Sequence, residues 1–139
     1  MKPTTTSRGV SFATPRLDEK HEQASILNLV EVLGGRACVL GTRRAQFCGV
    51  CGARTTDQGT RQTEGIADLA IYLPPPPILA ATTGAAWVFV WFEVKGRGGT
   101  LSPAQVEFRA INTRAGVNHL VGGIDAFVEF LQAGGWVRA

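Results

Sequence analysis

The chain has 139 residues, 45% of them hydrophobic and 18% charged, with a formal net charge of +3. That is one domain's length, with enough apolar material for a core and too little charge for a disordered chain. The mild positive charge admits a nucleic-acid partner without requiring one, and the absence of any apolar run near 18 residues or of a disulfide framework leaves a cytoplasmic protein with no membrane partner as the expectation.

Residues 1–17 are rich in Thr, Ser and Arg, lack acids and are broken by Pro3, Gly9 and Pro15. They are expected to form a flexible N-terminal arm rather than a transit peptide, followed by a single domain over 18–139. Asp18 to Leu33 reads as a helix stopped by Gly34-Gly35, with Ile26, Leu29, Val30 and Leu33 as its apolar stripe. One turn back, the stripe lands on Glu22. That acid is either turned inward or exposed at a first turn, where it suits the helix dipole.

A strand is expected at "ACVLG" (37–41), followed by Arg43 and Arg44. Cys51 to Glu64 is polar and reads as a loop or irregular hairpin. Ile66 to Leu73 reads as a strand with Asp68 in its first half. The proline run 74–77 cannot pair in a sheet and is expected to be an extended connection. Ala85 to Lys95 is apolar on both faces and so should be a central strand. Trp87, Phe89, Trp91, Glu93 and Lys95 share one face, and Val88, Val90, Phe92 and Val94 the other. Gly96 to Gly99 is a turn containing Arg97. Ser102-Pro103 then opens a helix to about Ala115. "GVNHLV" (116–121) is a short strand, and Ile124 to Leu131 a last helix before Gly134-Gly135. The order implies an α/β domain with a central mixed β-sheet flanked by helices.

Burying Glu93 and Lys95 at the end of such a strand costs several kcal/mol unless they are paired or bound. Their period-2 spacing points them the same way, and Asp68 sits on a neighbouring strand. Two facing carboxylates repel unless a cation lies between them, and hard ions such as Mg2+ take carboxylate oxygens in this way. A lysine beside them suits a phosphate or the hydroxide formed at a metal. The plain alternative is a salt bridge between Glu93 and Lys95 where the chain leaves the core.

The ordered set "GIADL" (65–69), "EVK" (93–95) and "LSPAQ" (101–105), with the inward acid of the first helix, the "GVNHLV" strand and the "IDAFVEFL" helix, resembles the VRR-NUC domain (virus-type replication-repair nuclease) of the PD-(D/E)xK superfamily. The resemblance spans about Glu22 to Leu131. It implies a restriction-endonuclease-like core and Mg2+- or Mn2+-dependent cleavage of DNA. It implies that Asp68, Glu93 and the carbonyl of Val94 bind the metal, that Lys95 orients or activates the attacking water, that Glu22 supports the metal shell and that Gln105 touches the site. Ser102-x-x-Gln105 is also a capping box, which needs no function. The resemblance further implies branched substrates such as four-way (Holliday) junctions, in replication and DNA repair and often in a phage setting. A homodimer with two sites would suit a junction.

Ala67 stands where the family usually has proline, and residues 46–64 are the least family-like. Arg97, Arg43, Arg44 and Arg61 are the candidates for backbone phosphates, with solvated surface as their alternative. Cys48-x-x-Cys51 is half a zinc site at most; even with Cys38 and a histidine it lacks a second Cys pair, and free thiols are the expected reading. His119 reads as a structural histidine. Two other functions stay open: a DNA-binding module of the same fold without cleavage, and a nuclease preferring flaps, nicks or RNA.

Overall fold

A computed structural model describes residues 18–40, 46–47, 50–51, 54–55, 64–82 and 84–139, and the side chains of the two pairs 46–47 and 54–55 are not described. The expected N-terminal arm lies outside these residues. The elements are α1 (Glu19–Val32), β1 (Arg36–Val39), β2 (Gln46–Phe47), β3 (Arg54–Thr55), β4 (Leu69–Leu73), α2 (Pro77–Ala80), β5 (Val88–Val94), α3 (Pro103–Arg114), β6 (Asn118–Gly122) and α4 (Ile124–Gly134).

Four strands make one sheet in the order β1-β4-β5-β6, and β2 and β3 form a separate antiparallel ladder. The β1–β4 and β4–β5 pairs are antiparallel and β5–β6 is parallel, so the sheet is mixed and β5 lies inside it, as its two apolar faces require. The parallel pair needs a crossover, which α3 supplies.

One sheet face carries Leu69, Ile71 and Leu73 of β4 with Val90, Phe92 and Val94 of β5. These pack with Ile26 and Val30 of α1 and Phe127 and Leu131 of α4. Phe92 meets Phe127 edge to face at 5.7 Å. Each such side chain withdrawn from water contributes about 1.5–3 kcal/mol, so this layer fixes the sheet against two helices. Helix α3 lies on the opposite face, where Phe108 packs edge-on against Trp91.

Helix α1 starts where the stripe predicts, with the Asp18 side chain accepting from His21 N–H at 2.9 Å. Helix α3 starts on the capping box of Ser102 and Gln105. Several expectations change, among them the extent of β5, which runs Val88–Val94 rather than from Ala85 to Lys95. The β4 ladder begins at Leu69, so Asp68 lies one residue before the strand and not within it. The proline run is not extended throughout: Pro77 opens α2, because proline's preset φ and missing N–H suit a first helical position. Pro74 offers its carbonyl to Trp136 Nε1 at 2.7 Å, tying the run to the chain beyond α4. The last helix runs past Leu131 to Gly134 and ends on Gly135, whose φ of 84° is the left-handed cap that glycine adopts cheaply. Among the described residues no helix is long and apolar enough to cross a membrane.

Candidate functional site

The pairing Leu69↔Phe92 fixes the register of β4 on β5. One step outward, Asp68 faces Glu93 on the sheet face that carries α3. Asp68 is held from two sides. Its backbone carbonyl accepts from Leu40 N–H at 2.7 Å, and its Oδ2 accepts from Val94 N–H at 2.9 Å. The turn before it packs on α3: Gly65 has φ 81°, and a Cβ there would lie 2.5 Å from the Ala104 backbone. Only glycine permits that approach and that dihedral together.

Glu93 is 2% exposed. Its Oε1 accepts from Gln105 Nε2 at 2.6 Å and faces Lys95 Nζ at 3.2 Å. Burial, reinforced by the neighbouring Asp68 carboxylate, nevertheless pushes its pKa up to about 7. The lysine and amide therefore do not fully offset the loss of water and the second acid. Lys95 is itself pinned, since its backbone N–H donates to the Gly122 carbonyl at 2.9 Å. The Val94 side chain is buried in the core on the other face, so only its backbone borders the site.

Gln105 does both things that its position allows. Its backbone N–H donates to Ser102 Oγ at 3.3 Å, and its side-chain Oε1 accepts from Ser102 N–H at 2.9 Å. The same amide sends Nε2 to Glu93. The helix cap and the carboxylate are thereby one hydrogen-bonded unit.

Glu22 faces inward, but its partner is α4. Its Oε2 accepts from Ile124 N–H at 2.6 Å. A Cβ on Gly123 would lie 2.5 Å from that oxygen, so the carboxylate fills the space that this glycine leaves. Gly122 pairs with Val94, which places this contact at the same end of the sheet as Lys95. Among the described residues no three His, Cys, Asp or Glu side chains gather into one metal-holding group. The acids at hand are the pair Asp68 and Glu93.

Arg97 is exposed in the turn after Lys95. Arg43, Arg44 and Arg61 lie outside the described residues, as does Cys48. Cys38, on edge strand β1, and Cys51 are exposed free thiols. His119 sits against Phe108 at 5.7 Å, and its buried Nδ1 has no hydrogen-bond partner among the described residues. Burial, then the Arg109 charge, lowers its pKa. The sequence reading missed the close approach of Gly65 to α3 and the seat that Gly123 makes for Glu22. In the sequence, the signal for each was a glycine beside an element bearing an acid.

The donor set fits a hard divalent ion. Mg2+ keeps several waters and is commonly bound through one or two carboxylates plus substrate phosphate, rather than in an all-protein cage. Two oxygen donors of opposing charge to the ion, one of them destabilised as an anion, meet that need. No family model, curated protein or solved structure matches the chain.

Proposed function

We propose that the chain is a Mg2+- or Mn2+-dependent DNA endonuclease with a VRR-NUC-type, restriction-endonuclease-like core, selective for branched DNA such as four-way junctions and working as a homodimer. The observation that supports this reading best is the buried Glu93 opposite Asp68 with Lys95 Nζ at 3.2 Å. A plain salt bridge explains Lys95 and Glu93 but leaves the second carboxylate as a cost. A cation between the acids turns that cost into affinity.

Asp68 and Glu93 would hold the ion, which when bound supplies positive charge to the phosphate and acidifies water. The chain's own groups do the rest. Val94 N–H and Leu40 N–H fix where Asp68 stands. Gln105 fixes one Glu93 oxygen and leaves the carboxylate a single orientation. The Lys95 ammonium meets the negative charge that grows on the phosphate as a water oxygen bonds to phosphorus in line and the opposite P–O bond breaks. Glu22 acts at one remove, by seating α4 beside the Gly122 carbonyl that anchors Lys95.

The test is cleavage of a labelled four-way junction, a flap and a linear duplex in Mg2+, Mn2+ or EDTA, with Lys95→Ala beside the wild type. Metal-dependent cuts that disappear in the variant support the reading, and paired nicks at the junction support the dimer. Binding without cleavage of any substrate replaces it with a non-catalytic DNA-binding module. Preference for the flap keeps the chemistry and changes the substrate.

A further inference from the structure

The sheet face that carries the candidate site also carries a row of aromatic rings. The register places Arg36, Tyr72 and Phe89 side by side, and Cys38, Ala70, Trp91 and His119 in the next row toward Glu93. Tyr72 and Phe89 have ring centroids 5.1 Å apart, and Phe89 and Trp91 5.0 Å. Helix α3 covers the β5–β6 part of the face, through Phe108 on Trp91 and His119 and through Gln105 on Glu93. Toward β1 the face is exposed among the described residues. Tyr72 is 42% exposed, and Trp87, just before β5, is 56% exposed. Arg36 and Cys38 are exposed as well.

We propose that this face binds the unpaired bases of a single-stranded DNA arm next to the scissile phosphate, with Tyr72, Phe89 and Trp87 as stacking planes and Arg36 on a backbone phosphate. The inference rests on the nuclease reading for the position of that phosphate. Three observations select this occupant. Exposed aromatic rings beside a sheet, here Tyr72 and Trp87, offer a face to any base, as sheets that stack single strands do. A cation stands at the end of the row, matching a polyanion and not an apolar peptide. The row is also continuous with the acids: Phe89 lies four residues before Glu93, about 13 Å along the strand at 3.3 Å each. That is the length of roughly four stacked nucleotides. Duplex DNA keeps its bases paired and cannot use these planes, so within the branched class this face favours a flap or other branch with an unpaired arm over a fully paired four-way junction.

The experiment is done in EDTA, so that no cleavage intervenes. The probe is a labelled oligothymidylate of about 12 nucleotides, with a duplex of equal length as its comparison. The wild type should prefer the single strand and show quenched tryptophan emission on binding it. Tyr72→Leu with Trp87→Leu keeps apolar bulk without the planes, and should weaken single-strand binding about 10-fold or more while changing duplex binding little. Trp87→Phe in the otherwise native chain should retain most of the affinity. Arg36→Gln, which leaves the rings untouched, should reduce the salt slope for the single strand by about 0.7. Single-strand affinity within about 2-fold of wild type in the leucine pair overturns the proposal. So does a leucine pair that converts a dimer to a monomer in sedimentation with DNA affinity intact, which assigns the face to a second copy. Single-strand stacking without metal-dependent cleavage sinks the nuclease reading alone.

Discussion

Glu93→Gln should make the metal-free protein more stable, and the size of the gain can be worked from the site. The carboxyl titrates at about 7 in the fold against an ordinary 4.5, because it is buried and faces Asp68. Each pH unit of that displacement corresponds to 1.36 kcal/mol, so ionising Glu93 inside the fold costs about 3 kcal/mol. Below pH 4.5 both folded and unfolded chains carry the proton and no cost arises. Between 4.5 and about 7 the unfolded chain loses its proton while the folded chain keeps it, so stability falls as pH rises. Above that window the loss is complete. Glutamine retains an oxygen for Gln105 Nε2 and Lys95 and never ionises. The variant should therefore match the wild type near pH 4.5 and exceed it by about 3 kcal/mol at pH 8, roughly 10 °C in Tm for a chain of this length. Chemical denaturation of both proteins across pH 4.5–8 in EDTA measures the difference directly. A variant less stable than wild type at pH 8, or a difference that does not change with pH, would refute the assignment of Glu93 as a destabilised acid awaiting a cation.

On the proposed nuclease reading, the same acid would set the pH profile of metal binding. Mn2+ must displace the Glu93 proton, so affinity should rise as pH climbs through about 7, with proton release visible by calorimetry in buffers of different ionisation enthalpy. Lys95→Ala should lower the rate of junction cleavage about 10²–10³-fold while gel-shift affinity stays within a few-fold. Gly65→Ala should cost about 2 kcal/mol or more by urea denaturation, since φ 81° and the Ala104 backbone at 2.5 Å both oppose a Cβ. Glu22→Ala strips the Ile124 amide of its charged acceptor and should cost about 1.5–3 kcal/mol in the same assay.

What could be read from the chain was what local periodicity encodes. Alternation put Glu93 and Lys95 on one face, and the structure has them 3.2 Å apart. The 3.6-residue stripe through Ile26 and Val30 left Glu22 either inward or exposed, and the structure takes the first, while Ser102-Pro103-Ala-Gln105 announced the start of α3. Asp68 shows where that logic thins. Its parity was sufficient to face it toward Glu93, yet its strand begins a residue later, because the ladder's extent depends on partners distant in sequence. Glu22's partner, Ile124, is 102 positions away, and nothing near Glu22 in the sequence names it. The same holds for Gly65 against Ala104, a contact that a local pattern cannot contain. The proline run failed for another reason: four prolines fit both an extended stretch and a helix start, and tertiary context chose the second for Pro77.

The clasp between Glu22 and Ile124 also has a consequence in time. At about 5–20 residues per second, the 102 residues between them take roughly 5–20 s to be made. Throughout that interval α1 exists without α4, its inward carboxylate and the Ile26 and Val30 face lacking the cover they will have. Lys95 likewise waits for Gly122 before its backbone is anchored. A nascent chain therefore cannot complete this clasp until Ile124 has been made, which ties the finished site to the synthesis of α4.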